Sequence, residues 1–205
     1  MTAALDDLVA RARQLSRPGR RRILGIAGAP GAGKSTLAAA LVDALGERAV
    51  LVPMDGFHLA QRELERLGRA HRKGAPDTFD AAGYVALLRR VRDNDERVYA
   101  PMFVRAIEEP IANALAIHPA VPLVVTEGNY LLLDDGPWSA VRSLLDEAWF
   151  ITIDDEARRA RLIARHVSFG RSVADATEWV MRSDEANAAL VTPTQVRADR
   201  IIRDG

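Results

Sequence analysis

The feature that most restricts this chain is Gly28-Ala29-Pro30-Gly31-Ala32-Gly33-Lys34-Ser35, which matches G-x-x-x-x-G-K-[ST] at every fixed position. It follows Ile23-Leu24-Gly25-Ile26-Ala27, an apolar run with the length of a buried parallel strand, and it opens the helical stretch Ser35 to Leu45. Strand, glycine-rich turn and helix in that order make a cradle for phosphate. The backbone turns sharply enough to aim successive N–H groups at phosphate oxygens, and side chains at the glycine positions would obstruct that approach. The helix beginning at Lys34 adds the positive end of its dipole. Gly28, Ala29, Gly31, Ala32, Gly33, Lys34, Ser35 and Thr36 are therefore the candidate nucleotide-binding residues. Lys34 is expected to reach the β- and γ-phosphates, and the Ser35 hydroxyl to ligate the Mg²⁺ that bridges them.

The same alternation continues, with strands near Ala49–Val52, Val121–Thr126 and Ala148–Ile153, a last short one at Arg200–Arg203, and helices between. It predicts an α/β fold of the P-loop NTPase type, a parallel sheet with helices on both faces. A length of 205 residues suits one domain. Leu5, Leu8, Val9, Ala12 and Leu15 recur at helical spacing, so residues 1–18 read as an amphipathic helix covering that domain. Gly68 to Asp80 is the least regular part, and Arg72-Lys73-Gly74-Ala75-Pro76-Asp77 within it predicts a functional loop rather than a helix. Lys and Arg number 28, as do Asp and Glu. That balance argues against nucleic acid and membrane surfaces as partners. The absence of cysteine removes disulfides, thiolate chemistry and cysteine zinc sites. With no leader pattern at the N-terminus and no apolar run of about 18 residues, a soluble cytoplasmic protein is expected. The sequence leaves oligomeric state open, a homodimer included.

A phosphate cradle alone does not separate kinases from GTPases, motor ATPases or regulatory modules. The second strand ends in Pro53-Met54-Asp55-Gly56-Phe57-His58, which puts a carboxylate at the edge of the sheet where ligands of open α/β folds bind. Asp55 is there either a base for an attacking hydroxyl or a solvated turn aspartate. Val124-Val125-Thr126-Glu127-Gly128 ends in a carboxylate that either serves the Mg²⁺ or simply closes a strand. Asp154-Asp155 caps a helix carrying Arg158, Arg161 and Arg165 on one face, which is either a lid for a transferring phosphoryl group or a solvated basic surface. His58 can orient a substrate hydroxyl or be structural. Asp80 reads chiefly as the cap of a helix over Ala81–Val91, with a direct substrate role as the alternative.

Together, Met54–Phe57 (M-D-G-F), Arg72–Asp80 (R-K-G-A-P-D-T-F-D), Thr126–Gly128 (T-E-G) and Asp154–Arg161 (D-x-x-x-R-x-x-R) resemble, in order, the family of uridine kinase, phosphoribulokinase and the bacterial P-loop pantothenate kinases. The resemblance implies transfer of the γ-phosphoryl group of ATP, with Mg²⁺, to a hydroxyl of a small molecule. It implies Asp55 as the catalytic carboxylate beside Lys34, Glu127 near the metal, and Arg158 and Arg161 as lid arginines, within a mobile segment from Arg158 to about Val173. Acceptor contacts are implied around Phe57 and His58 and along Tyr99–Arg105, where Arg105 supplies a cation; Val104 stands where relatives often carry an acid. Uridine kinases typically hold the ribose diol with an aspartate in the F-D-H-P-D-A-F-D loop, and that place here is Gly74. Lys73–Asp80 is closer to the K-G-F-P-E-S-Y-D of pantothenate kinases, yet a chain ending at Gly205 leaves no room for their long C-terminal part. Small bacterial kinases associated with sugar uptake match the length and wording best. The expected acceptor is thus a sugar such as fructose, or a pantothenate-like compound, with a nucleoside as the alternative. A regulatory nucleotide switch and an idle nucleotide-binding module are the rivals, and the first is disfavoured because no N-K-x-D motif occurs.

Overall fold

Strand β1 (Arg22–Gly28) feeds two hydrophobic cores at once, because successive side chains point to opposite faces. Ile23 and Ala27 enter one core, and Leu24 and Ile26 the other. The structure is a computed structural model that describes residues 2–17, 19–93 and 96–203. β1 pairs in parallel with β5 (Leu123–Gly128) and β6 (Glu147–Thr152), β2 (Ala49–Pro53) joins beyond β5, and β7 (Arg200–Arg203) beyond β6. The order β2-β5-β1-β6-β7 is the parallel sheet that the alternation of elements predicts. Boundaries differ by about two residues at β5, where Pro122 delays the start.

On one face, α1 (Thr2–Leu15) and α2 (Lys34–Leu45) bury Leu8, Val9, Ala12, Leu15, Ala38 and Leu41 against Leu24, Ile26 and Val125. On the other, α4 (Ala81–Asp93) packs Tyr84, Val85 and Leu88 on Ile23, Val124 and Phe150. Full burial of a leucine such as Leu41 or Leu88 contributes about 2 kcal/mol.

One element escaped the sequence reading. Strands β3 (Val98–Val104) and β4 (Glu109–Ile117) form a separate antiparallel hairpin. Proline inside a run argues against a strand, and Pro101 and Pro110 both lie within these. Both strands of this two-stranded ribbon have an unpaired edge that can take a proline, and at Pro101 the ladder also breaks, the register shifting between Ala100 and Met102 where Asn113 takes a φ of 58°. Short α3 (Gln61–Arg66) precedes the 68–80 loop, which is built from two 3₁₀ turns, Ala70–Arg72 and Pro76–Thr78. After β6 come α5 (Asp155–Ser168), α6 (Val173–Trp179), a π-turn at Val180–Asp184, and α7 (Glu185–Val191). Among the described residues no helix is long and apolar enough to cross a membrane.

Candidate active site

The site is set by the level at which three parallel strands stop. Glu127 near the end of β5 lies opposite Ile26 of β1 and Pro53 of β2, so the phosphate loop, the Glu127 carboxylate and the turn carrying Asp55 open on one edge. A buried relay fixes that edge. The Thr126 hydroxyl donates to the Val52 carbonyl at 2.6 Å, and the Tyr84 hydroxyl of α4 donates in turn to Thr126 at 2.6 Å. The carboxylate that follows therefore sits on a strand tied both to its neighbour and to the helix behind it.

Lys34 is buried, and its Nζ donates to the Ala29 carbonyl at 3.0 Å. Burial lowers its pKa to about 8, against the opposing pull of Glu127 and Asp55. The Ser35 hydroxyl donates to Glu127 Oε1 at 2.9 Å. Burial first, then the nearby Asp55 carboxylate, pushes the Glu127 pKa up, while Lys34 and Ser35 oppose this. Crowded acidic oxygens beside a serine hydroxyl suit a hard divalent cation that completes its shell with phosphate oxygens and water. Mg²⁺ fits this donor set, in which Ser35 and Glu127 would hold it. The loop itself is shaped for close approach: Gly31 has a φ of 81°, and a Cβ there would stand 2.7 Å from Leu162 Cγ and 3.0 Å from the Arg158 carbonyl of α5.

Asp55 receives Arg105 Nη2 on Oδ2 at 2.7 Å, which ties the hairpin to the turn after β2. Gly56 permits that contact, since a Cβ there would lie 2.4 Å from the Pro101 carbonyl oxygen. The His58 ring lies between Phe79, with centroids 4.0 Å apart, and Phe103, at 4.7 Å. Its Nδ1 is 2.8 Å from the Asp55 carbonyl oxygen, which can only accept. Nδ1 therefore carries the proton and Nε2 is left as an acceptor. Burial lowers the His58 pKa, so the ring is neutral near pH 7.

These groups line one cleft of about 470 Å³, together with residues of the 70–74 loop, the hairpin tip, α5 and the π-turn. Of the sequence-predicted residues, Gly31, Lys34, Ser35, Asp55, His58, Arg105 and Glu127 line it. Gly28, Ala29, Ala32, Gly33 and Thr36 do not line it; Gly33 takes a φ of 95° where α2 begins, and Thr36 is an exposed residue of that helix.

Three expectations change, and at Asp80 the cap reading holds over the substrate one. Phe57 is a core residue, buried edge-on against Tyr84 with ring centroids 5.2 Å apart, because the turn after β2 sends Asp55 and His58 outward and Phe57 in. The Asp80 carboxylate accepts the Gly83 N–H at 2.8 Å, capping α4, and it does not line the cleft. Arg158 is 2% exposed and bound to Asp155 Oδ1 at 3.0 Å, to Glu185 and to the Pro30 carbonyl, so it clamps α5 beneath the phosphate loop. Arg161 is exposed and outside the cleft wall. The arginine of that helix face that does line the cleft is Arg165, whose pKa is lowered by desolvation and then by Arg105.

Gln61, Asn129, Trp179, Asp184 and Asn187 also line the cleft and were not anticipated. Asn129 follows the T-E-G motif directly, which was the one available signal; the C-terminal three belong to no motif.

The fold and this cleft define a phosphotransferase of the P-loop class, with a cradle, a metal-compatible pair and a separate carboxylate on one sheet edge. The chain belongs to the phosphoribulokinase/uridine kinase family, whose profile matches residues 23–205. A Schizosaccharomyces pombe protein provisionally named a uridine kinase is 34% identical over 98% of this chain and 91% of its own length. An ATP-dependent kinase-like protein of Aspergillus versicolor is 37% identical over 73% of this chain and 92% of its own length. The crystal structure of a provisionally named fructose transport system kinase from Silicibacter sp. TM1040 superposes with a TM-score of 0.89 at 35% identity, covering 97% of this chain and 98% of that one.

Proposed function

We propose that this kinase transfers the γ-phosphoryl group of ATP to a hydroxyl of a small metabolite, a sugar such as fructose or a pantothenate-like compound. The observation that carries the reading is the convergence of Lys34, the Ser35–Glu127 pair and Asp55 on one cleft. Mg²⁺, when bound, neutralises charge developing on the phosphates. Lys34 supplies a desolvated cation toward the same phosphates, where it acts more strongly than in water. Asp55 accepts the proton of the attacking hydroxyl on the carboxylate lone pairs that Arg105, bound at Oδ2, leaves open. The neutral His58 offers Nε2 to a second acceptor hydroxyl. Arg165, on the second half of α5, brings a guanidinium to the cleft, and Gly170 at a φ of 93° provides a joint between α5 and α6 for lid closure that excludes water.

ADP release measured against a panel of sugars, nucleosides and pantothenate tests the reading. Release should rise sharply with one sugar-like or pantothenate-like class. Uridine should be a poor acceptor, since Gly74 brings no carboxylate to a ribose diol. Release that no hydroxyl compound accelerates would overturn the reading.

A further inference from the structure

The π-turn at Val180–Asp184 adds a residue to the helical path and so rotates all that follows by about 100° about the axis. Such turns recur at functional sites. Here the last residue of the turn and the helix beyond it bury two polar side chains in the cleft wall, Asp184 at 8% exposure and Asn187 at 5%. Asp184 is engaged, with Oδ2 3.0 Å from His166 Nε2 of α5. Asn187 makes one long hydrogen bond, from Nδ2 to the Gly74 carbonyl at 3.4 Å, and that oxygen already accepts the Tyr130 hydroxyl at 2.5 Å. A carboxamide with two donors and two lone pairs is thus held at the cleft with most of its capacity uncommitted.

Its placement is informative. Gly74 also lines the cleft, and a Cβ built on it would find Asn187 Nδ2 as its nearest neighbour, at 4.0 Å. The amide stands where a side chain from position 74 would project. Of the cations lining the cleft, Lys73 donates to the Glu108 carbonyl at 2.6 Å, Arg105 to Asp55 at 2.7 Å, Arg171 stacks on Trp179 at 4.3 Å, and Arg165 is the guanidinium assigned to the phosphates. An uncharged acceptor therefore suits this end better than a carboxylate.

We propose that Asn187 is a specificity-determining residue that reads hydroxyls of an uncharged polyol, a sugar or sugar alcohol, away from the hydroxyl that is phosphorylated. The inference rests on the kinase reading and narrows its acceptor. An amide can give a hydrogen bond to a hydroxyl and take one from its neighbour, while His58 Nε2 takes another O–H. Three hydroxyls are thereby distinguished without any net charge.

The test measures binding of sugars and their monodeoxy analogues by calorimetry and thermal shift, with ADP release in parallel, in the wild type, Asn187→Ala and Asn187→Asp. At least one sugar should bind the wild type, and one deoxy analogue should bind about tenfold more weakly. Asn187→Ala should lose about tenfold in affinity for the parent sugar and no longer distinguish it from that analogue, with KM for ATP within about twofold. Asn187→Asp keeps the volume and loses the donor, so an intermediate loss is expected and guards against a packing effect. Parent-sugar affinity unchanged in Asn187→Ala, or a wild type that binds only charged acceptors, would overturn the inference. Sugar binding that depends on Asn187 but releases no ADP would uphold it and sink the kinase reading instead.

Discussion

Replacing Lys34 by methionine keeps the length of the side chain and removes its charge, so it separates what this lysine costs the fold from what it gives the reaction. In the ligand-free protein its pKa falls from 10.5 to about 8 because burial outweighs the attraction of Glu127 and Asp55. At pH 7 folded and unfolded chains both carry the proton, and the folded state bears the full penalty, about 3 kcal/mol from the shift. Above pH 8 the folded chain releases that proton while the unfolded chain keeps it up to 10.5. The penalty therefore shrinks as pH rises, to about 1 kcal/mol at pH 9.5. Losing the bond to Ala29 offsets about 1 kcal/mol. Lys34→Met should thus be more stable than the wild type by about 2 kcal/mol at pH 7, or roughly 4–8 °C in Tm for a chain of this size. That gain should vanish near pH 9.5. Denaturant and thermal unfolding at the two pH values, in buffer free of nucleotide and Mg²⁺, reads this directly, and turnover should fall by about a hundredfold or more. A variant less stable than the wild type at pH 7, or a difference independent of pH, would refute the claim that a buried, under-compensated cation sits in the phosphate loop.

Other variants separate chemistry from scaffolding. Asp55→Asn should lower kcat by about 10²–10⁴ with little change in KM for ATP, as steady-state kinetics would show. Arg165→Ala should reduce turnover while leaving Tm nearly unchanged. Arg158→Ala should destabilise by about 3 kcal/mol in denaturant unfolding, toward the low end for a broken buried pair because Glu185 keeps Arg159 at 2.8 Å. Gly56→Ala should raise the acceptor KM more than the ATP KM, because the added methyl meets the Pro101 carbonyl and displaces the hairpin that carries Arg105.

What was legible in the sequence follows from where fixed spacing meets fixed geometry. The phosphate loop could be read because its glycines answer a backbone requirement, and Asp55 and Glu127 because they close apolar strands at the edge where sites form. Arg158 and Arg165 do share a helix face, but spacing around an axis says nothing of distance along it. Seven residues separate them by about 10 Å, enough to put one under the phosphate loop and the other in the cleft. Phe57 and His58 are adjacent and face opposite ways, which depends on a 3₁₀ turn rather than on a strand period. The hairpin was hidden by its prolines and alanines. The Asp184–Asn187 wall was hidden by the π-turn, since a single inserted residue shifts the register of a helix without any mark in its composition.

Following the γ-phosphoryl group itself addresses the central claim most plainly. With γ-labelled ATP, Mg²⁺ and the acceptor selected from the panel, the wild type should place the label on an acceptor hydroxyl, one per ADP formed, and Asp55→Asn should place almost none there. Label appearing only as inorganic phosphate, at the same rate with and without acceptor, would contradict the assignment of this cleft to hydroxyl phosphorylation.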